Sequence, residues 1–378
     1  MRVLMTTTNG TLQDGIARHI LTLAPVLNRL PDVECAVCIA FPEGELSEAL
    51  RKEGVRVYSF GAPHGHHWRA FVGFYRAVRD FKPDLFHGSV IPFAAQIVGK
   101  FLFPGTPWVT TYHGARSAVK PKPIGKTVCG WLGRIVAPRF RKVFYVSRDS
   151  LRIDERQGLH SADVRRLCYN PFDFSKPVPA SGKLRALLGL AEDVPLVGTA
   201  CRIAAIKRPD LFARTMCGVL GKVARAQAVI IGEGPSLDAA RRVVAEFGMQ
   251  DRVHFLGYRI DAPELIADLD CFVMTSEREG MPTALLEAIA SRTPVAFMKV
   301  PGGLTDIAEM SEQEGPFAVV APYEDTEALT AGIVGLLGDG DLRRRFADRA
   351  LEACRRTLSV EAAARRCHDG YLEALDGR

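Results

Sequence analysis

Cys271-Phe272-Val273-Met274-Thr275-Ser276-Glu277-Arg278-Glu279-Gly280-Met281-Pro282-Thr283-Ala284-Leu285-Leu286-Glu287-Ala288-Ile289-Ala290 changes character twice along its length. Cys271–Met274 is a short, unbroken apolar run, as expected of a strand covered on both faces. The next residues are polar and end on Gly280, which lets a backbone approach a ligand closely. Pro282 suits the first turn of a helix, where its missing N–H costs nothing. The unit reads strand, loop, helix.

Outward from it the same alternation fills the chain. Strands are predicted at 2–8, 33–40, 55–59, 84–87, 107–112, 142–146 and 166–169. Between them lie helical patterns, such as Ile16–Leu30 with Ile16, Ile20, Leu23, Leu27 and Leu30 on one face. Pro171, Pro177 and Pro179, with Ser175, Ser181 and Gly182, break the series and mark a linker. A second series follows, with strands at 194–200, 226–231, 252–256, 270–274, 294–298 and 317–320, and a helical end at 341–376. Strand–helix alternation of this kind predicts an α/β fold with mostly parallel sheets. Two doubly wound domains of similar size are expected, with a cleft between them and ligands beyond the carboxyl ends of the strands.

The 378 residues suit two domains. With 47% hydrophobic and 24% charged residues, the composition excludes disordered and fibrous classes. No apolar run reaches the roughly 18 residues of a membrane-spanning helix, and the N-terminus reads as a first strand. Nine cysteines, an odd number and mostly in apolar runs, predict reduced thiols in a cytoplasmic protein. Residues 1–173 hold 24 Lys and Arg against 14 Asp and Glu; the remainder holds 25 against 29. A basic first half implies an anionic partner there.

The loop and helix of the opening stretch can address one long ligand. The helix N-terminus offers free N–H groups to an anion. Glu279 lies just before it, and Glu287 lies five residues past Pro282, about 7.5 Å along the axis. Sugar hydroxyls at Glu279, diphosphate at the helix end and ribose hydroxyls at Glu287 give the layout of a nucleotide diphosphate sugar. Two glutamates eight apart are, taken alone, ordinary solvated helix charges. The complete string closely resembles the S-x-x-E-G-x-P-x(4)-E-A-x-A signature, with its E-x7-E spacing, of retaining glycosyltransferases of family 4, which have the GT-B fold of two Rossmann-like domains.

Other segments fit the resemblance. Cys201-Arg202-Ile203-Ala204-Ala205-Ile206-Lys207-Arg208-Pro209-Asp210 resembles the family's G-R-x(4)-K-G-x-D segment, whose Arg and Lys hold the donor diphosphate. Two cations five apart on one loop can converge on it. Arg208 stands where the family has glycine. Gly232-Glu233-Gly234-Pro235 resembles its G-x-G-P turn, and Val253–Tyr258 the segment bordering the base, which implies Tyr258 and Arg259 there. Trp108–Gly114 resembles its strand-end His-Gly, which implies that His113 faces the transferred sugar. Gly15 occupies the first strand–helix turn, where the family often has two glycines near the diphosphate. Asn170-Pro171-Phe172-Asp173 departs from Asn-Gly-x-Asp. Pro301-Gly302-Gly303-Leu304-Thr305-Asp306 resembles the loop that touches donor hydroxyls, without the usual Pro-Glu.

The resemblance implies a domain 1–175, joined by the C-terminal helix 361–378, that binds the acceptor, and a domain 176–360 that binds the nucleotide sugar, with closure around 174–182. It implies a metal-independent enzyme of hexosyl or N-acetylhexosaminyl type, without a cofactor, using a UDP-sugar in preference to a GDP-sugar. Catalytic roles fall to His113, Glu279, Arg202 and Lys207. Donor contacts fall to Gly15, Arg202, Lys207, Gly234, Tyr258, Glu279, Gly280, Met281, Thr283 and Glu287. The sugar would go, with retention, to a hydroxyl of a lipid-linked glycan in bacterial polysaccharide, lipopolysaccharide or glycoconjugate synthesis. A non-catalytic sugar-nucleotide-binding subunit of a glycan assembly complex is the alternative.

No Asp-x-Asp string suggests a metal site. Cys35 and Cys38 fall on opposite sides of a strand. His64, His66 and His67 beside Trp68 read as a surface loop, and Arg343-Arg344-Arg345 as a solvated helix face. A hydrolase would need two carboxylates flanking one bond, and a dehydrogenase a G-x-G-x-x-G turn that 9–15 lacks. Finally, 116–142 holds eight basic and no acidic residues, interleaved with Val128, Trp131, Leu132, Ile135 and Val136. A basic amphipathic helix of this kind can lie in an anionic membrane interface. Peripheral placement at the inner face of the plasma membrane is expected, and no nucleic-acid module accompanies the charge.

Overall fold

The computed structural model describes residues 1–8, 10–11, 15–63, 67–113 and 139–376. Asn9, Asp14, His64, His66, Gly114, Cys129 and positions 116–138 of the basic segment lie outside them. The chain divides into two compact units, Met1–Pro171 with Leu358–Arg378, and Phe172–Thr357.

The first unit holds seven parallel strands: β1 (Arg2–Thr7), β2 (Glu34–Ile39), β3 (Arg56–Ser59), β4 (Leu85–Gly88), β5 (Trp108–Tyr112), β6 (Phe140–Tyr145) and β7 (Arg165–Leu167). Their order in the sheet is β3-β2-β1-β4-β5-β6-β7. Alternation sends side chains to two separate cores. Val3, Met5, Cys35 and Val37 join one face, under the helices Gly15–Leu27 and Val360–Asp376. Leu4, Ala36 and Cys38 join the other, under Trp68–Phe81 and Phe93–Leu102. Cys35 and Cys38 thus face opposite sides, as their spacing predicts.

The second unit holds β8 (Leu196–Ala200), β9 (Gln227–Ile231), β10 (Val253–Phe255), β11 (Cys271–Met274), β12 (Val295–Lys299) and β13 (Val319–Pro322), again all parallel, in the order β10-β9-β8-β11-β12-β13. All thirteen predicted strands are present, each with ends within two residues of the reading. In both sheets the order reverses once, between β1 and β4 and between β8 and β11. A doubly wound sheet opens its ligand crevice at that reversal, outside the carboxyl ends of the strands.

The helical end is two helices, Gly340–Leu358 and Val360–Asp376, and the second belongs to the first unit. Arg343 is not only a solvated charge. Its guanidinium donates to the Leu336 carbonyl oxygen at 3.1 Å and closes the end of the helix Thr326–Gly338. Among the described residues no helix is long and apolar enough to cross a membrane.

Candidate active site

At the reversal in the second sheet, β8 and β11 lie side by side, and the loops that follow them meet. The loop after β8 runs through Arg202 and a short 3-10 turn, Ala205–Lys207, into the helix Pro209–Lys222. The loop after β11 runs through Ser276 and Glu279 to the helix Thr283–Ala290. The Glu277 N–H donates to the Ile206 carbonyl at 2.8 Å, and the Thr275 hydroxyl to that of Arg208 at 3.1 Å. These bonds join the two loops.

Glu279 is 8% exposed. Its Oε1 accepts from Lys207 Nζ at 2.6 Å and from Ser276 Oγ at 2.5 Å. A buried carboxylate needs such partners, because its charge is costly to remove from water. Lys207 and Glu279 therefore form one unit, and Lys207 is not a lone cation awaiting phosphate. Arg202 is exposed on the same loop. Burial pushes the Cys201 thiol up to about 11, so it stays protonated beside the site.

Glycines hold this shape through backbone contact. Gly234 has φ 156°, and a Cβ there would lie 2.2 Å from the Ile203 carbonyl oxygen; at Gly302, with φ 103°, it would lie 1.6 Å from that of Glu279. The Ile203 N–H donates to the Glu233 carbonyl at 2.8 Å, and the Gly303 N–H to that of Glu279 at 3.0 Å. Gly234 thus shapes the Arg202 loop, and the Gly302–Gly303 turn supports Glu279 from behind. Arg208, in the place of a family glycine, has φ 48°, the left-handed region that favours glycine. Its guanidinium is tied to Asp210 at 3.0 Å and Glu324 at 2.6 Å, which raises its pKa, Asp210 most.

Pro282 sits at the N-cap, one position before the helix rather than inside its first turn. No side chain caps this end, so the first N–H groups lack intrahelical partners. Gly280 and Thr283 are exposed there, Met281 half-buried, and Glu287 half-buried one turn further along. Tyr258 is 74% exposed after β10, while Arg259 is paired with Asp261 at 2.8 Å. The string Asp268-Leu269-Asp270 is structural. Asp268 accepts from the N–H groups of Ser181, Gly182 and Leu184, and Asp270 from Arg185 and the Leu196 N–H. Among the described residues no group of three or more His, Cys, Asp or Glu could hold a metal ion.

In the first unit, Gly15 opens the helix Gly15–Leu27, and His113 follows β5. The His113 ring stands edge-on to His19, with centroids 4.7 Å apart. His87 lies in the same core, its Nδ1 and Nε2 at 2.7 Å from the hydroxyls of Tyr371 and Thr111. Burial, then the nearby His113, holds the His87 pKa at about 3. Burial likewise holds that of His19 well below 6.5, helped by His113 and His87 and opposed by Asn170. Both are neutral at neutral pH. The sequence reading missed His19 and Ser276. For Ser276 the signal was present, in the fixed spacing of Ser-x-x-Glu; a buried histidine on a helix carries none.

The model of the glycosyl transferase 4-like domain matches residues 14–170, and that of the glycosyl transferases group 1 matches 194–339. The lipopolysaccharide core biosynthesis glycosyltransferase LpsE of Rhizobium meliloti is 26% identical over 191 residues, 50% of this chain and 52% of that protein. The alpha-D-kanosaminyltransferase of Streptomyces kanamyceticus is 25% identical over 282 residues, 71% of each. The match to LpsE thus spans about half of that relative's length. Anabaena Alr3699/HepE, solved in complex with UDP, superposes with a TM-score of 0.77 at 20% identity, covering 98% of this chain and all of that one. The chain belongs to the family 4 type of glycosyltransferases and has their two-domain GT-B fold.

Proposed function

We propose that the protein is a retaining glycosyltransferase that moves a sugar from a nucleotide-sugar donor to an acceptor hydroxyl. The observation that carries this reading is the buried Glu279 held by Lys207 and Ser276 beside an uncapped helix N-terminus, at the reversal of the second sheet. Glu279 holds the donor sugar hydroxyls. Arg202, Lys207 and the N–H groups after Pro282 stabilise the departing diphosphate, the main electrostatic task of the reaction. Glu287 anchors the ribose and Tyr258 borders the base. His113 orients the sugar, and the turn at Gly15 approaches the diphosphate.

Departure and attack occur on one face of the sugar without a covalent enzyme intermediate, and no metal is required. A UDP-sugar is favoured, since HepE was solved with UDP and with UDP-glucose. A lipid-linked glycan is favoured as acceptor, since LpsE acts in lipopolysaccharide core biosynthesis and the first domain is basic. The basic segment 116–142 would bring the enzyme to an anionic membrane. A panel of UDP-, GDP- and ADP-sugars, read by thermal stabilisation, tests the donor. Ligand at 100 times its Kd adds about 2.7 kcal/mol. Stabilisation by none of them, together with no glycosylated product by mass spectrometry, would sink the reading.

A further inference from the structure

The first unit contains a cavity lined by none of the residues given roles in transfer. A cavity of about 720 Å³ opens where the turn 104–107 leads into β5 and where β6 begins. Trp108, the first residue of β5, lines it, whereas His113 follows the other end of that strand. At about 3.3 Å per residue the two are roughly 16 Å apart.

The charges around this cavity are unevenly satisfied. Lys142 pairs with Glu373 at 2.5 Å and donates to the Asp163 carbonyl at 2.7 Å. Arg139 and Arg141 are exposed, and among the described residues neither has an ion pair or a hydrogen-bonded side-chain partner. They flank Phe140 at the start of β6, where the pairing with β5 slips by one residue between Phe140 and Lys142, and both line the cavity. Two uncompensated guanidinium groups in the lining of one cavity repel each other, and an oxyanion gripped by both relieves this. Asp163, also in the lining, can accept from hydroxyl groups, whereas the Glu373 carboxylate is already held by Lys142 and Arg166. The Trp108 indole N–H is buried with no acceptor among the described residues. Beside Lys100, at the end of the helix Phe93–Leu102, Phe101 and Leu102 stand 58% and 56% exposed.

We propose that this cavity binds a phosphate ester bearing hydroxyl groups, with Arg139 and Arg141 on the phosphate, at a site separate from the donor site. A glycerophospholipid headgroup and a soluble sugar or glycerol phosphate share that chemistry. The exposed Phe101 and Leu102 favour the lipid, because they would enter the acyl boundary beside a bound headgroup. The proposal does not rest on the transfer reading, but it deepens the membrane reading, since Arg139 and Arg141 lie at the end of the basic segment 116–142.

The test uses the full chain with Trp68 and Trp131 replaced by phenylalanine, so that Trp108 fluorescence reports occupancy. Vesicles of phosphatidylglycerol should shift it and vesicles of phosphatidylcholine should not. Arg139→Ala with Arg141→Ala should weaken the response roughly tenfold or more, at an unchanged unfolding midpoint. A response to glycerol 3-phosphate alone, lost in the same double variant, supports the site and assigns it to a soluble ester. No response to either probe in low salt, or one that the double variant leaves intact, overturns the proposal. Full retention by Arg139→Lys with Arg141→Lys also overturns it, since diffuse charge rather than a gripped phosphate would then explain the binding.

Discussion

Glu279 owes its burial to two partners, so the residues of this site cannot be changed one at a time without a structural cost. Lys207→Ala leaves a buried carboxylate with only the Ser276 hydroxyl. It should lower stability by about 1.5–3 kcal/mol, as well as abolishing most transfer. Chemical denaturation measures the first effect, and an unchanged midpoint would mean that the pair is not formed in solution. The two glutamates should separate by function. Glu279→Ala is expected to depress transfer while nearly preserving affinity for the free nucleoside diphosphate. Glu287→Ala is expected to weaken that affinity. Titration calorimetry with the nucleotide reads both, and the reverse pattern would exchange their roles.

At the scale of elements, the strand-to-helix loops are shaped by close backbone approach. Gly234→Ala forces a Cβ into the Ile203 carbonyl at a φ that side chains rarely adopt. Strain of this kind costs about 1–3 kcal/mol, and the displaced loop carries Arg202. Lower stability with weaker nucleotide binding is expected; a fully wild-type variant would show that the turn relaxes freely. In the first sheet the element-level feature is a neutral histidine core. His87, on β4, and His19, on the helix after β1, have folded-state pKa values below the ordinary value of about 6.5. The unfolded chain binds these protons first. The His87 contribution to stability is therefore complete above about pH 6.5 and is lost as the pH falls toward about 3, at roughly 1.4 kcal/mol per unit, and that of His19 is lost in the same direction. His87→Gln should flatten this decline in a series of thermal melts. An equally steep decline would place the acid sensitivity elsewhere.

On the whole-molecule scale, the chain leaves its first domain, builds a second, and returns. Ala363, Ala364, Cys367, Tyr371 and Ala374 of the last helix complete the first core. Gly370 lets Phe144 pack against that helix, since a Cβ there would lie 2.5 Å from the ring. Truncation after Leu358 should therefore unfold the first domain while the second, Phe172–Thr357, keeps its own transition. Calorimetry would show one transition lost and one retained. Tyr371→Ala is the milder form, costing about 3–5 kcal/mol for a fully buried aromatic side chain. A truncated chain with both transitions intact would mean that the last helix contributes no core.

Strand positions, the α/β class and the break near Pro171 were legible in the sequence, because a strand buried on both faces must be apolar throughout and a loop must be polar. The Glu279 loop, Lys207 and the glycine turns were legible too, because positions that need a special φ or a buried charge admit few residue types. The pairing of Lys207 with Glu279, 72 residues away, was not: it arises only when β8 and β11 become neighbours at the reversal of strand order. The edge-on packing of His19 on His113 and the exposed pair Arg139 and Arg141 beside Trp108 came from tertiary structure for the same reason. Composition and periodicity record what each segment must bury. Which polar groups then meet is decided by the order in which the strands assemble.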